Sequence, residues 1–365
     1  MLELEFKPDA ERTLARMEAF WEREILDRPL VQYTVAKPPE DRVPLPESGH
    51  ATADDRWLDV QFQTELRVAQ LSNAYFPGDQ LPAAFPNLGP EVFSSLYGCP
   101  IHFGDYGTSW TDPILHDWAA ADSIRLDWSS PSLRTLQEMT DALLEAGRGR
   151  FITGMTDWHP GGDAIAALRD PQNLAVDMIT HTAEVKALLA RLETDYFAVY
   201  NVFYDKLHAA GQPITTWLPL AAWGRYYVPS NDFACMISGA MFRDVFLQGL
   251  ANECRFLDRS IYHLDGPGAL RHLDDLLAIP ELDALQWVCG AGNEGYLRWL
   301  SVYQRAQAAG KALWISCTLD EVPDVMATLD PHGVCLAVSG VPSLEAGERL
   351  LREAEAWCTG RVHPV

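Results

Sequence analysis

The stretch RSIYHLDGPGALRHLDDLLAIPELDALQWV, residues 259–288, changes its hydrophobic pattern twice. Its two ends, "RSIYHLD" (259–265) and "ALQWV" (284–288), are short apolar and aromatic runs of strand type. Between them a Gly-Pro-Gly turn leads into "GALRHLDDLL", which reads as helical. Strand, helix and strand in this order predict a parallel sheet with crossovers. His263 and Asp265 stand two apart at the end of the first strand, so they share a face. Asp265 could cap the following turn, or both groups could point into a pocket. Gln286 lies in phase with His263 on the neighbouring run, which favours the pocket. His272, on the helical stretch, reads as structural.

The same alternation runs through the chain. Further strand-like runs are "PLVQYTVA" (29–36), "FITGMTDW" (151–158), "TTWLPL" (215–220), "ALWISC" (312–317) and "GVCLAVS" (333–339). Amphipathic helices lie between them, and two end in "AAG" before the next strand, a helix C-cap signal. An eighth strand near "LPAAFPNLG" completes the count for a distorted (β/α)8 TIM barrel, an α/β fold. No GxGxxG follows the first strand, so a dinucleotide-binding sheet has no support. No low-complexity linker divides the chain, and residues 1–365 are read as one domain. Within it, residues 1–130 hold the first strands and an N-terminal elaboration. Its Pro-, Gly- and Trp-rich part, 38–130, is expected to cover the barrel mouth.

Bulk properties exclude several classes. The formal net charge is −23, which repels phosphate backbones and argues against nucleic-acid binding. The hydrophobic share of 48% supports a packed core, yet no run has the length a membrane span needs. The seven cysteines are scattered and include no CxxC pair, which suits a reducing cytoplasm better than a disulfide framework. The acidic, amphipathic start lacks the order of a secretory signal.

A barrel carries its active site at the C-terminal ends of its strands. The polar residues expected there are Asp157 and His159 in "TDWHPGGD", then Trp223, Arg225, Tyr227 and Asp232 in "AAWGRYYVPSNDF". His263 and Asp265 follow, then Gln286, Trp287, Asn293 and Glu294 in "QWVCGAGNE", with Cys317 and Ser339 on the last two strands. Each has a plainer alternative. Asp157 and Asp232 suit loop caps, and His159 before Pro160 suits a solvated turn. Trp223 and Tyr227 suit core filling, Asn293 and Glu294 a helix N-cap, and Cys317 a buried small hydrophobe.

The segments "TDWHPGGDAIAALRDPQNLAVDMITHTAEVKALLARL" (156–192), "HLDG" and "GVCLAVSGVPSLEAGERLLREAEAW" (333–357) resemble the uroporphyrinogen decarboxylase superfamily, over roughly residues 85–360. The nearer likeness is to its methyltransferase branch, which serves corrinoid-dependent methyl transfer. The resemblance implies a distorted TIM barrel, a homodimer, and Asp105 and Trp110 near the mouth. Zinc methyltransferases of the superfamily use His-x-Cys on strand five and a later Cys. Here His263 is kept, but Asp265, Gln286 and Ser339 stand where the other ligands would be. Hard oxygen donors thus replace soft thiolates. A metal, if bound, would use His263, Asp265 and Cys317; a thiolate-rich zinc site is not encoded. The Arg-rich segment by which the decarboxylases grip substrate carboxylates is also missing, and Arg225 stands alone.

The leading expectation is therefore a methyltransferase. It would take a methyl group from a small methoxylated or N-methylated metabolite and pass it to a corrinoid carried by a partner protein. His263, Asp265 or Asp157 would protonate the leaving atom. The remaining pocket residues would bind the substrate through aromatic faces and polar groups. Two alternatives stay open: a lyase, decarboxylase or hydrolase on a polyhydroxylated or carboxylated compound, and a small-molecule binding protein.

Overall fold

A computed structural model describes residues 2–105 and 107–359. The architecture is α/β, built on one six-stranded parallel sheet. Its order is Leu30–Gln32, Val334–Ser339, Ala312–Thr318, Ala284–Val288, Arg259–Asp265 and Tyr226–Tyr227. The four long strands are mostly buried, as expected of near-continuous apolar runs, and become more accessible toward their C-terminal ends. His263 pairs directly with Gln286, and Leu285 with Leu313.

The eighth strand expected near residues 81–89 is present as Ala83–Ala84, paired in parallel with Ile152–Thr153. These two form a sheet of their own, and Ile214–Thr215 pairs in an antiparallel hairpin with Ala221–Ala222. Strand pairing therefore draws a curled six-stranded sheet with short satellites rather than a continuous ring of eight. A single bond does reach from one satellite to the next, from Met155 N to Thr215 O at 2.7 Å. The physical reason is proline. Pro82 and Pro86 bracket Ala83–Ala84, and Pro213 and Pro219 border the Ile214–Thr215/Ala221–Ala222 hairpin; they cannot donate to a ladder and so limit these strands, though not Ile152–Thr153, to two residues.

Helices cover the sheet. The long helix Thr182–Ala209 buries one stripe, including Val185, Leu188, Leu192, Tyr196, Val199 and Phe203. Residues 38–130 fold as short helices, such as Val60–Ser72, and the hairpin Ile101–Phe103 with Ser109–Thr111. They share the main core with the sheet. No helix among the described residues is long and apolar enough to cross a membrane.

Candidate functional site

Three strand ends bring titratable side chains to one place. After Ile152–Thr153 the chain runs through Asp157 and His159 into the helix Gly161–Arg169, whose first turn carries Asp163. After Tyr226–Tyr227 it runs through Ser230 and Asn231 to Asp232, and a parallel bridge from Ser230 to His263 ties this loop to the next strand. Asp163 fixes the arrangement, accepting from Asp232 N at 3.0 Å and Phe233 N at 2.8 Å. One donor atom each from His159, Asp163 and Asp232 lies within 4.8 Å of the others, and the same holds for Asp232, His263 and Asp265. Asp157 Oδ1 stands 3.8 Å from His159 Nε2. Asp157, His159, Asp163, Asp232, His263 and Asp265 thus form one cluster at the C-terminal ends of the strands. It opens onto a cleft of about 530 Å³ that His159, Asp163 and Asp232 share with Glu91 and Trp110.

Burial against apolar walls controls protonation here. Burial raises the Asp157 carboxyl above the usual range, although His159 and His263 pull the other way. Burial, with Asp163 beside it, pushes Asp232 up to about 6, and burial pushes Glu91 up to about 7. Burial opposes the charge on His159, but the carboxylates of Asp157, Asp163, Asp232 and Glu91 outweigh it, so this imidazole is the more easily protonated. Buried Oδ1 atoms of Asp157 and Asp232 have no hydrogen-bond partner, the pattern of groups kept for a ligand. His263 Nδ1 lies 2.7 Å from Gln286 Oε1. With that oxygen as acceptor, Nδ1 carries the proton and Nε2 the free lone pair. Trp217 packs edge-on against the same ring, at 5.4 Å.

The two triplets sharing Asp232 offer imidazole and carboxylate donors of the kind that suit a borderline or hard divalent cation. The metal set expected from the sequence, His263, Asp265 and Cys317, is not brought together. Cys317, expected to join His263 and Asp265, belongs to neither triplet; it is buried in its strand, and burial pushes its thiol up to about 12.

Other expected residues lie elsewhere. Trp223 and Arg225 were expected at the mouth, and this is corrected. The parallel strand is Tyr226–Tyr227, not 215–220, so both residues precede it and lie at its opposite end. There the Arg225 carbonyl accepts from Asp258 N and Arg259 N, at the start of the His263 strand. The Arg225 guanidinium rests over the rings of Tyr204 and Phe256. Tyr227 is fully buried and does not line the cleft. Its hydroxyl donates to Thr156 O at 3.0 Å and accepts from Trp158 N, holding the loop that presents Asp157. Tyr227→Phe leaves Trp158 N and Thr156 O unpaired. It should lower unfolding stability by roughly 1–3 kcal/mol in a urea titration and weaken any activity that depends on Asp157.

Gln286, Trp287, Glu294, Cys317 and Ser339 line a separate cleft of about 420 Å³. Gln286 alone reaches the acidic cluster, through His263. Trp287 is buried edge-on against Trp299. Glu294 folds back onto Gly292 N, and the Asn293 carbonyl accepts from Trp299 Nε1, so both serve the local turn. Trp110 lines the larger cleft as the resemblance implies, whereas Asp105 lies in another groove and pairs with Arg56. The sequence reading missed Asp163 and Glu91. "HPGGD" carried a signal for the first, because Gly162 is a place of close approach: a Cβ there would lie 2.4 Å from Asn231 Oδ1. Nothing marked Glu91.

No protein-family model matches the chain. No curated protein sequence matches it either. Among solved structures it is similar to a methyltransferase from Methanosarcina mazei. The TM-score is 0.57 and the identity 13%, over 94% of this chain and 98% of that one. At this identity the likeness is one of fold, and it extends over nearly the whole of both chains.

Proposed function

We propose that the chain is an enzyme of the methyltransferase type, a divergent relative of the uroporphyrinogen decarboxylase superfamily on a (β/α)8 scaffold. It would move a methyl group from a small methoxylated or N-methylated metabolite to a corrinoid carried by a partner protein. One observation carries the reading. A half-buried Asp157 with an inaccessible, unpartnered oxygen stands beside two imidazoles, at the strand ends of a fold shared with a methyltransferase.

A methyl–oxygen or methyl–nitrogen bond breaks easily only if the leaving atom gains a proton, unless that nitrogen is already quaternary. Asp157, whose protonated form burial favours, would supply this proton as the methyl departs, and the leaving group would be released as the neutral alcohol or amine. His159 stabilises the carboxylate left behind. His263, oriented by Gln286, and Asp232 hold the polar end of the substrate, while Trp110 covers the cleft. The reduced corrinoid supplies the nucleophile that takes the methyl group.

The test is to mix the purified protein with a reduced corrinoid protein and a panel of methoxylated and N-methylated donors. Donor-dependent appearance of the methylated corrinoid by absorbance is expected. Failure across the whole panel overturns the proposal. Turnover that proceeds equally well without corrinoid also overturns it, and favours a lyase or hydrolase.

A further inference from the structure

Behind the acidic cluster lies a second, smaller chamber. Pro160–Gly162 and Ser230–Asn231 line it on the side of the cluster, and the helices Thr182–Ala209 and Leu247–Phe256 line it elsewhere. Four of its lining residues carry a buried oxygen without a hydrogen-bond partner: Tyr196 OH, Ser230 Oγ, Asn231 Oδ1 and Glu253 Oε1. All four residues are more than nine-tenths buried, with exposures of 1%, 5%, 3% and 6%. Folded proteins seldom leave even one such atom unpaired. Tyr196 and Ser230 can each donate one proton, and Tyr196 can reach Glu253, but the lone pairs of the four oxygens bordering this space outnumber those protons, which leaves room for a ligand that accepts them.

Size and charge narrow the occupant. The chamber has room for one or two water-sized particles, about 30 Å³. The unpaired atoms are all oxygens, one carboxylate and three neutral. Glu253 has no basic neighbour: the Tyr196 hydroxyl lies close enough to donate to its carboxyl, and the other groups acting on it are the acids Glu193 and Asp163. We propose that this chamber is a monovalent-cation site, in which potassium or ammonium is held by Tyr196, Ser230, Asn231 and Glu253. One carboxylate matches one positive charge, and neutral oxygens replace the hydration shell of such an ion. Four oxygens also match the four N–H bonds of ammonium. A calcium ion would call for more carboxylates.

The ion would bind the Ser230–Asn231 loop to the helix bearing Glu253, directly behind Asp232. Gly162 rests against the same Asn231 oxygen, and its neighbours in the chain include His159 and Asp163. The site thus fixes the spacing of two walls of the cluster, whichever reaction the cluster performs. Proton and cation compete for Glu253, since burial pushes its carboxyl up to about 8 when no cation is bound.

The experiment is thermal unfolding of the full chain in choline chloride, replaced stepwise by potassium or ammonium chloride at constant ionic strength. A saturable rise in Tm of about 3 °C or more is expected by about 100 mM. The rise should be larger at about pH 8.5 than at about pH 6, because ionised Glu253 binds the ion. Glu253→Gln should remove the cation dependence, and Tyr196→Phe should weaken it. Equal Tm values of the unmodified chain in choline, potassium and ammonium would leave only water in the chamber and overturn the proposal. So would a full cation effect in a folded Glu253→Gln protein.

Discussion

Asp157→Asn is expected to lower turnover by about 10²- to 10⁴-fold, the usual contribution of a positioned acid, while the protein stays folded. Asparagine keeps the volume and cannot donate the proton. Stability should move the other way. Burial raises the Asp157 carboxyl, so its protonated form is the one the folded state prefers. That preference is fully present below the unfolded value and is lost as pH rises through the folded one. Above that point the native protein holds an unfavourable buried charge that asparagine lacks. The variant should therefore match or exceed the parent in Tm at alkaline pH. Lost activity with kept or gained stability marks a functional group; a fall in both would make Asp157 merely structural. Tm against pH for the two proteins, beside single-turnover rates, separates the cases.

The parts that were legible in the sequence share a physical cause. Strands 259–265, 284–288, 312–318 and 334–339 are mostly buried, so they appear as apolar runs that end in polar residues. The two-residue period placed His263 and Asp265 on one face, and one parallel register brought Gln286 to His263. The first half of the sheet was harder to see. Its strands are two or three residues long, so the runs 29–36 and 151–158 marked where they lie but not where they end. Around Tyr226–Tyr227 the cost was specific. "TTWLPL" looks more like a strand than "YY" does, and that choice moved Trp223 and Arg225 to the wrong end. Asp163 escaped because an acid after Pro-Gly-Gly reads as a favourable helix start. Only the fold shows it gripping the backbone of Asp232 and Phe233.

Asp79→Ala is expected to be the most damaging single change to the fold, costing roughly 3–5 kcal/mol in a urea titration. Asp79 is wholly inaccessible to solvent and bonds Arg28 through both oxygens, one of which also takes Arg16 at 3.1 Å. Its other oxygen accepts from Val31 N at 2.9 Å, on the strand that closes one edge of the main sheet. Alanine would leave the buried guanidinium of Arg28 without its carboxylate. Arg16 would keep only Asp27, and a strand N–H would lose its acceptor. An exposed pair such as Arg305 with Asp274 offers the contrast: both ends reach water, and Arg305→Ala should change stability by less than about 1 kcal/mol. The damage at Asp79 should reach the site as well. Gln32, on the same strand, accepts from Trp314 Nε1 at 2.9 Å and donates to Pro219 O, tying the strand to the rest of the sheet. Asp79→Ala should therefore lose stability and activity together, as Asp157→Asn should not. This opposition distinguishes the groups that hold the sheet together from those gathered at the ends of its strands.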